Sequence, residues 1–407
     1  MDPAEASVIP VEPTREAGLA RLRAFVPKAG RAYAAGRNAD PGAVGVHAVS
    51  GLSPYVRHRL VTETELLHTV LVAHSLCSAE KFVQEVCWRT YWKGWLEHRP
   101  TIWTDYRRDV AALLDCASRG YVRAVEARTG IDCFDAWVAE LIAHGTLHNH
   151  ARMWFASIWV HTLGLPWQLG ADFFLRHLLD GDAASNTLSW RWVCGLHTRG
   201  KYYLARRDNI TRYTKGRFVP AGLATEVLPL NEPVPPPACA IAPTDPCPAG
   251  NAGLLLSEED LHPESLDLSG VRIVGIAAGH AAADRSPHPI ANNVLRFTEA
   301  AQADALARAG RHFAAPTGVL ASLDAASIGA WARASSVNMI VTPYAPVGPA
   351  RERIEECART LETGGIRLCA VRRQWDELAW PHACNGFFAF WEHIPRLIGA
   401  AGFAPGA

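Results

Sequence analysis

Apolar and aromatic residues recur at three- and four-residue spacing through residues 60–218 with no long alternating stretch, a pattern that predicts a run of helices. Thr62-Glu63-Thr64-Glu65 ahead of Leu66-Leu67 has the order of a capping box, in which a hydroxyl and a carboxylate three residues on each accept a backbone N–H, so a helix is expected to start there. Between about 220 and 268 the texture turns Pro- and Ala-rich. It includes Pro233-Val234-Pro235-Pro236-Pro237, which disfavours the interior of helix and sheet alike and reads as a linker. From 269 onward, apolar runs at 271–277, 337–344 and 366–371 alternate with helical stretches at 291–309 and 350–361, which predicts a parallel α/β sheet. The expected organisation is a helical domain over 1–219, a linker over 220–268 and a smaller Rossmann-like α/β domain over 269–407, without internal repeats.

A length of 407 residues suits two cores at ordinary domain size. No window approaches about 18 unbroken apolar residues, and Met1-Asp2-Pro3-Ala4-Glu5 lacks the basic-then-apolar layout of a signal peptide, so a cytoplasmic location with no membrane partner is expected. The 10 cysteines form no Cys-x-x-Cys pair and read as buried small hydrophobes. Cys239 and Cys247 are the one pair placed to bridge or bind metal, but no other ligand accompanies them and no metal site is expected. The formal net charge of zero conceals a basic first half and an acidic second half. A basic half is compatible with an anionic ligand such as a nucleotide or a nucleic-acid backbone.

Three windows carry candidate chemistry: Leu147-His148-Asn149-His150-Ala151-Arg152-Met153, then Leu178-Leu179-Asp180-Gly181-Asp182-Ala183-Ala184-Ser185-Asn186, then Trp190-Arg191-Trp192. On a helix Asn149, Arg152 and Met153 share a face. The Asp-Gly-Asp turn sets two carboxylates at a helix start, where they can cap the helix, pair with Arg152, or bond a ligand's hydroxyls and ring nitrogens. Upstream, Glu85, Trp88, Arg89 and Trp92 line one helix face. Trp92 and Trp95 read best as packing, whereas an acid inside an aromatic stripe needs a partner or a use.

From Tyr33 to about Phe218 the chain resembles the FAD-binding domain of the photolyase and cryptochrome family. The blocks that carry the likeness are Ser50-Gly51-Leu52-Ser53-Pro54-Tyr55, Glu85-Val86-Cys87-Trp88-Arg89-Thr90-Tyr91, and the windows at 145–153 and 178–192. The resemblance implies a bound FAD, with Tyr33, Ser50, Gly51, Leu52 and Ser53 around its phosphates and ribose. It implies that Asp180 and Asp182 are the flavin-contacting carboxylates and that Arg152 pairs with Asp180 over the isoalloxazine. Asn186 would face flavin N5, and Arg89 and His148 complete the cofactor set. Glu85 and Trp88 are implied to contact a damaged pyrimidine pair in DNA, with Asn149 and Met153 completing that pocket. Trp190 and Trp167 match the first two members of an electron-hopping chain. Leu114 stands at the outermost position, and Trp103, Trp137 and Trp159 are open as replacements.

The pattern departs in three places. Thr146 stands where DNA-repairing members have a second stacking tryptophan, and His150 stands where they have an arginine that grips the DNA backbone. The tail through residues 197–213 differs too, although its Lys201, Arg206, Arg207 and Arg212 offer cations to phosphates. Finally, the family's α/β domain precedes its helical one, whereas here Gly386-Phe387-Phe388-Ala389-Phe390-Trp391 and the strands before it resemble the latter part of that α/β domain. The implied fold is therefore α and α/β, with a helical FAD-binding domain followed by a parallel α/β domain, circularly permuted relative to photolyases. Three activities stay open: a light-driven photolyase (a carbon–carbon lyase) acting on damaged DNA, a blue-light photoreceptor, and a flavoenzyme acting on a small molecule with His150 as acid or base. Oligomeric state and an antenna chromophore are not legible.

Overall fold

The computed structural model describes residues 11–42, 48–244 and 249–402. The helical half is built from α1 (Glu63–Ala73), α2 (Leu76–Glu97), α3 (Thr101–Leu114), α4 (Asn149–Ser157), α5 (Trp167–His177) and α6 (Ala183–Val193), with shorter helices around them. The capping box forms at the head of α1: Thr62 Oγ1 accepts from Glu65 N, and the Glu65 carboxylate accepts from Thr62 N. Helix α2 is the spine. One side of it meets the helical core through Phe82, Val83 and Val86, and its later turns meet the second half of the chain.

That second half is a five-stranded parallel sheet of β1 (Gly250–Leu256), β2 (Val271–Ala278), β3 (Thr317–Val319), β4 (Met339–Pro343) and β5 (Arg367–Val371), ordered β3-β2-β1-β4-β5. Helix α7 (Pro349–Thr363) crosses between β4 and β5, and the short helix α8 (Phe387–Trp391) lies near the end of the chain. The three expected strands and both expected helices are present. The linker boundary needs correction, because the central strand β1 lies inside the stretch 220–268 that was read as linker. Gly250-Asn251-Ala252-Gly253-Leu254-Leu255-Leu256 has no β-branched residue, so propensity gives no signal. The segment is a strand because β2 and β4 both pair with it. The Pro-rich part before it runs irregularly along the helical half, where Pro236 O accepts from Arg99 and Cys239 N donates to His98 O.

β1 and β4 are neighbours whose chains leave in opposite directions, which makes a crevice at their carboxyl ends, the usual ligand position in open parallel sheets. Here the helical half fills it. Arg57 bonds Glu259 at 2.7 Å, His58 Nδ1 lies 2.8 Å from Glu258 O, and His58 O accepts from Leu261 N. Arg59 forks onto Asp376 at 2.7 and 2.8 Å, while Arg373 forks onto Asp260. All of these groups except Arg373 are buried, and one continuous apolar core runs through both halves. The end of the chain then folds back on α2: Trp375 Nε1 donates to Thr90 Oγ1, Tyr91 donates to Asn385 O, and Phe387 stacks on Trp88.

No helix among the described residues is long and apolar enough to cross a membrane. Cys87, Cys133, Cys194, Cys357 and Cys369 are buried as expected, but Cys77, Cys116 and Cys239 are exposed. Cys247 lies outside the described residues, and no metal-binding cluster occurs among the described ones.

Candidate functional site

A cavity of about 1030 Å³ opens between α2, α4, α6 and the segment 49–56. That is the upper end of the range for ligand pockets. It is lined by Tyr33, Ser50, Gly51, Leu52 and Ser53, the residues expected around a nucleotide's phosphates and ribose, and also by Arg21. Gly51 has φ +63°, and a Cβ there would come within 2.6 Å of the Arg21 guanidinium, so only glycine lets the chain turn this close to a cation. Arg21 was missed because nothing in its neighbourhood marks it.

Farther in, Arg89, His148, Arg152, Asp180 and Asn186 line the wall. Arg152 and Asp180 form a two-point pair, 3.0 Å on each arm, and Arg152 also donates to Leu147 O at 2.9 Å. Burial pushes the Asp180 carboxyl up, but Arg152, with Arg89 and Ser53, outweighs it and the net shift is downward, so the acid is ionised. Asn186 gives its amide N–H to Ala171 O at 2.8 Å, which leaves the amide oxygen as its acceptor. His148 caps α4, with Nδ1 accepting from His150 N.

Asp182 is placed differently from expectation, since it is not part of the cavity lining. Its carboxylate caps α6 by accepting from Ser185 N at 2.8 Å and pairs with Arg89, so it sits one layer behind the wall. Burial raises its pKa, but Arg89, Lys93 and Arg57 together bring it down to about 2. Its relation to a ligand therefore runs through Arg89.

Glu85, Trp88, Asn149, Met153 and Trp190 line the remaining side, with Asn149 exposed. Glu85 is ion-paired to Arg37, a partner the sequence reading did not name. Its signal was present in the four-residue step from Tyr33 to Arg37. Burial raises the Glu85 pKa and Arg37 offsets only part of that. The Trp88 indole has Phe387 flat against it, centroids 3.7 Å apart at 8°, a contact 299 positions away that no local pattern announces. Trp167 does not line the cavity; it is buried at the start of α5, whose Gly170 packs against Trp190. Glu140 also faces in, and burial with help from Asp40 pushes its carboxyl up to about 7 against the pull of Arg217.

Thr146 and His150 both line the cavity. His150 is half-buried and stacked on Trp154 at 4.1 Å, with Nδ1 3.0 Å from Asn38 O and Nε2 3.3 Å from Tyr203 Oη. Buried polar atoms on the wall lack partners among the described residues, notably Ser185 Oγ and Trp190 Nε1. A cavity of this size, lined by the Arg21 cation, a fixed Arg152–Asp180 pair and orphaned polar atoms, fits a large anionic ligand with a polar aromatic head.

Comparison with known proteins agrees with that chemistry. Residues 82–217 match the family described as the FAD binding domain of DNA photolyase. The deoxyribodipyrimidine photo-lyase of Streptomyces griseus is 34% identical over 205 residues, covering 46% of this chain and 42% of that protein. That of a Thermus thermophilus strain is 36% identical over 192 residues, covering 46% and 43%. Among solved structures, a class III photolyase from Agrobacterium tumefaciens is similar at 26% identity and a TM-score of 0.42, over 50% of this chain and 42% of that one. A Synechocystis cryptochrome is similar at 22% identity and a TM-score of 0.41, over 53% and 46%. The chain spans less than half the length of these relatives.

Proposed function

We propose that the helical half of this chain, which matches the FAD binding domain of DNA photolyase over residues 82–217, takes FAD as its cofactor, and that the protein splits pyrimidine dimers in DNA by light-driven electron transfer. The observation that carries this reading is the arrangement of one wall: the Arg152–Asp180 pair and Asn186 lie on the same cavity as Glu85, Trp88, Asn149 and Met153. When bound, FAD supplies the light absorption and the electron. Arg21 and the segment 50–53 would hold the phosphates. The Arg152–Asp180 pair, its carboxylate ionised, would lie against the flavin ring, and Asn186 would present a neutral amide that adds no charge beside it.

A flipped lesion would stack on the face of Trp88 opposite Phe387, and the raised pKa of Glu85 suits it to share a proton with a base edge. Lys201, Arg206, Arg207 and Arg212 are all exposed and offer phosphate contacts. Blue light with the reduced protein is expected to clear dimers from irradiated DNA, with loss of turnover in Glu85→Ala. No clearance by the fully reduced protein removes the repair reading.

A photoreceptor is the second reading. The observation that favours it is that Glu85 is already engaged by Arg37 and the second stacking platform is a threonine, Thr146. Light-dependent flavin spectra without dimer clearance would select it. The small-molecule reading draws less support, because both His150 ring nitrogens have partners. We also propose that the chain divides into a helical unit ending near 219 and an α/β unit starting at β1, in permuted order, joined by the segment that runs along the helical half.

A further inference from the structure

Helix α3 carries Leu114 at the position that would end the electron-hopping chain, but it brings two other aromatic residues to Trp167. Tyr106 lies 5.8 Å from Trp167 at 27°, and Trp103, on the same face of α3, lies 5.4 Å from Tyr106 at 30°. Inward, Trp190 lies against Gly170, three residues beyond Trp167 on α5, so closely that a Cβ there would fall 2.3 Å from its ring. Trp167, Tyr106 and Trp103 thus form a contiguous aromatic run to the boundary between the two halves of the chain, and Trp190 on the cavity wall packs against α5 one turn from Trp167.

A hole that hops outward stays only where it can be trapped, and an oxidised indole or phenol is trapped by giving up its proton to a base. Trp190 Nε1 and the Tyr106 hydroxyl are buried without partners among the described residues, so neither has a base. Trp103 does: its Nε1–H donates to Glu352 Oε1 at 2.9 Å, and Glu352 is 40% exposed. Trp167 also donates to a carboxylate, Glu232, but Arg191, only 7% exposed, sits 5.5 Å from its ring. A buried cation there opposes a positive hole more strongly than Arg107 does at Trp103, because Arg107 is 36% exposed and water screens it. A side branch through Trp159, 6.1 Å from Trp190, ends on groups that accept no proton. The Trp159 Nε1–H meets Pro166 O, and beyond it the Tyr121 hydroxyl accepts from Arg176.

We propose that Trp103, reached through Trp167 and Tyr106, is the terminal electron donor in light-driven reduction of the cofactor, and that Glu352 takes its proton. This rests on the reading above that Trp190 feeds light-excited FAD. One electron leaves the Trp103 indole and refills the series inward, replacing the one Trp190 gave to the photoexcited FAD. The Trp103 N–H bond breaks, an O–H bond forms on Glu352, and a neutral indolyl radical remains until a thiol in solution returns a hydrogen atom. Protonation also removes the charge that pairs Glu352 with Arg107, so the event alters an ion pair between α3 and α7.

The test is flash photolysis of the FAD-loaded full chain, with transient absorption and electron paramagnetic resonance to identify the radical. In the unsubstituted protein a long-lived neutral tryptophan radical is expected. Trp103→Phe should shorten radical lifetime by about tenfold or more. Glu352→Gln, a half-exposed change that keeps a hydrogen-bond acceptor, should leave the first radical yield unchanged but give a short-lived radical cation. A neutral radical of unchanged lifetime in both variants overturns the proposal and assigns the end of the series to Trp167. If Trp190→Phe also changes nothing, the premise that Trp190 feeds the cofactor fails instead.

Discussion

Two aspartates two positions apart have different tasks, and environment decides which. Asp180 faces the cavity and is held by Arg152, whereas Asp182 turns back to cap α6 and meet Arg89. From sequence the two are indistinguishable, because a carboxylate at a helix start serves as ligand or cap equally well. The pairing of Arg152 with Asp180 was legible from the likeness of their windows, while Arg37 opposite Glu85 needed the fold to bring it close. The Asp182 carboxyl titrates near 3.8 in an unfolded chain and about 2 in the folded one. Its stabilisation is therefore present above the unfolded value and lost as pH falls through about 2. Urea unfolding is expected to show an acid limb worth about 2 kcal/mol that Asp182→Asn removes. An unchanged pH slope below 4 in that variant would contradict the assignment.

Elements were legible where local pattern and tertiary role coincide. The capping box at Thr62 announces itself in the sequence, and so do β2, β4 and β5 with their short, mostly apolar runs. β1 did not, since its glycines and alanine belong to the texture of the preceding Pro-rich stretch. Its identity comes from two flanking strands and from Trp331, which covers it: a Cβ on Gly253 would approach Trp331 to 2.6 Å. Gly253→Val, which has good strand propensity, should nevertheless destabilise the protein by about 1–3 kcal/mol by overpacking. Denaturant unfolding measures it, and a gain in stability would show that the contact yields freely.

At the scale of the whole molecule, the α/β half is a buttress as well as a neighbour. The crevice at the carboxyl ends of β1 and β4 is occupied by Arg57, His58 and Arg59, and α8 sets Phe387 against the cavity-lining Trp88. Sequence could place the two halves in order but could not show that their charges interlock, because such pairs span 200 positions or more. Arg59 holds Glu63, Asp260 and Asp376, all buried, so Arg59→Ala strands carboxylates without water. That change should cost about 3–5 kcal/mol. The two halves of the unsubstituted protein should unfold in one transition by calorimetry. Separate transitions, or an Arg59→Ala protein as stable as the original, would mean that the junction contributes little.

The central claim is that the cavity in the helical half holds FAD through Arg152 and Asp180. It is tested most directly by the amount of FAD released on denaturing the purified chain after exhaustive dialysis against buffer. The account predicts close to one FAD per chain, and a large loss in Asp180→Ala, which leaves Arg152 without its two-point partner. A chain that retains no flavin after reconstitution, or an Asp180→Ala variant that retains all of it, would contradict it.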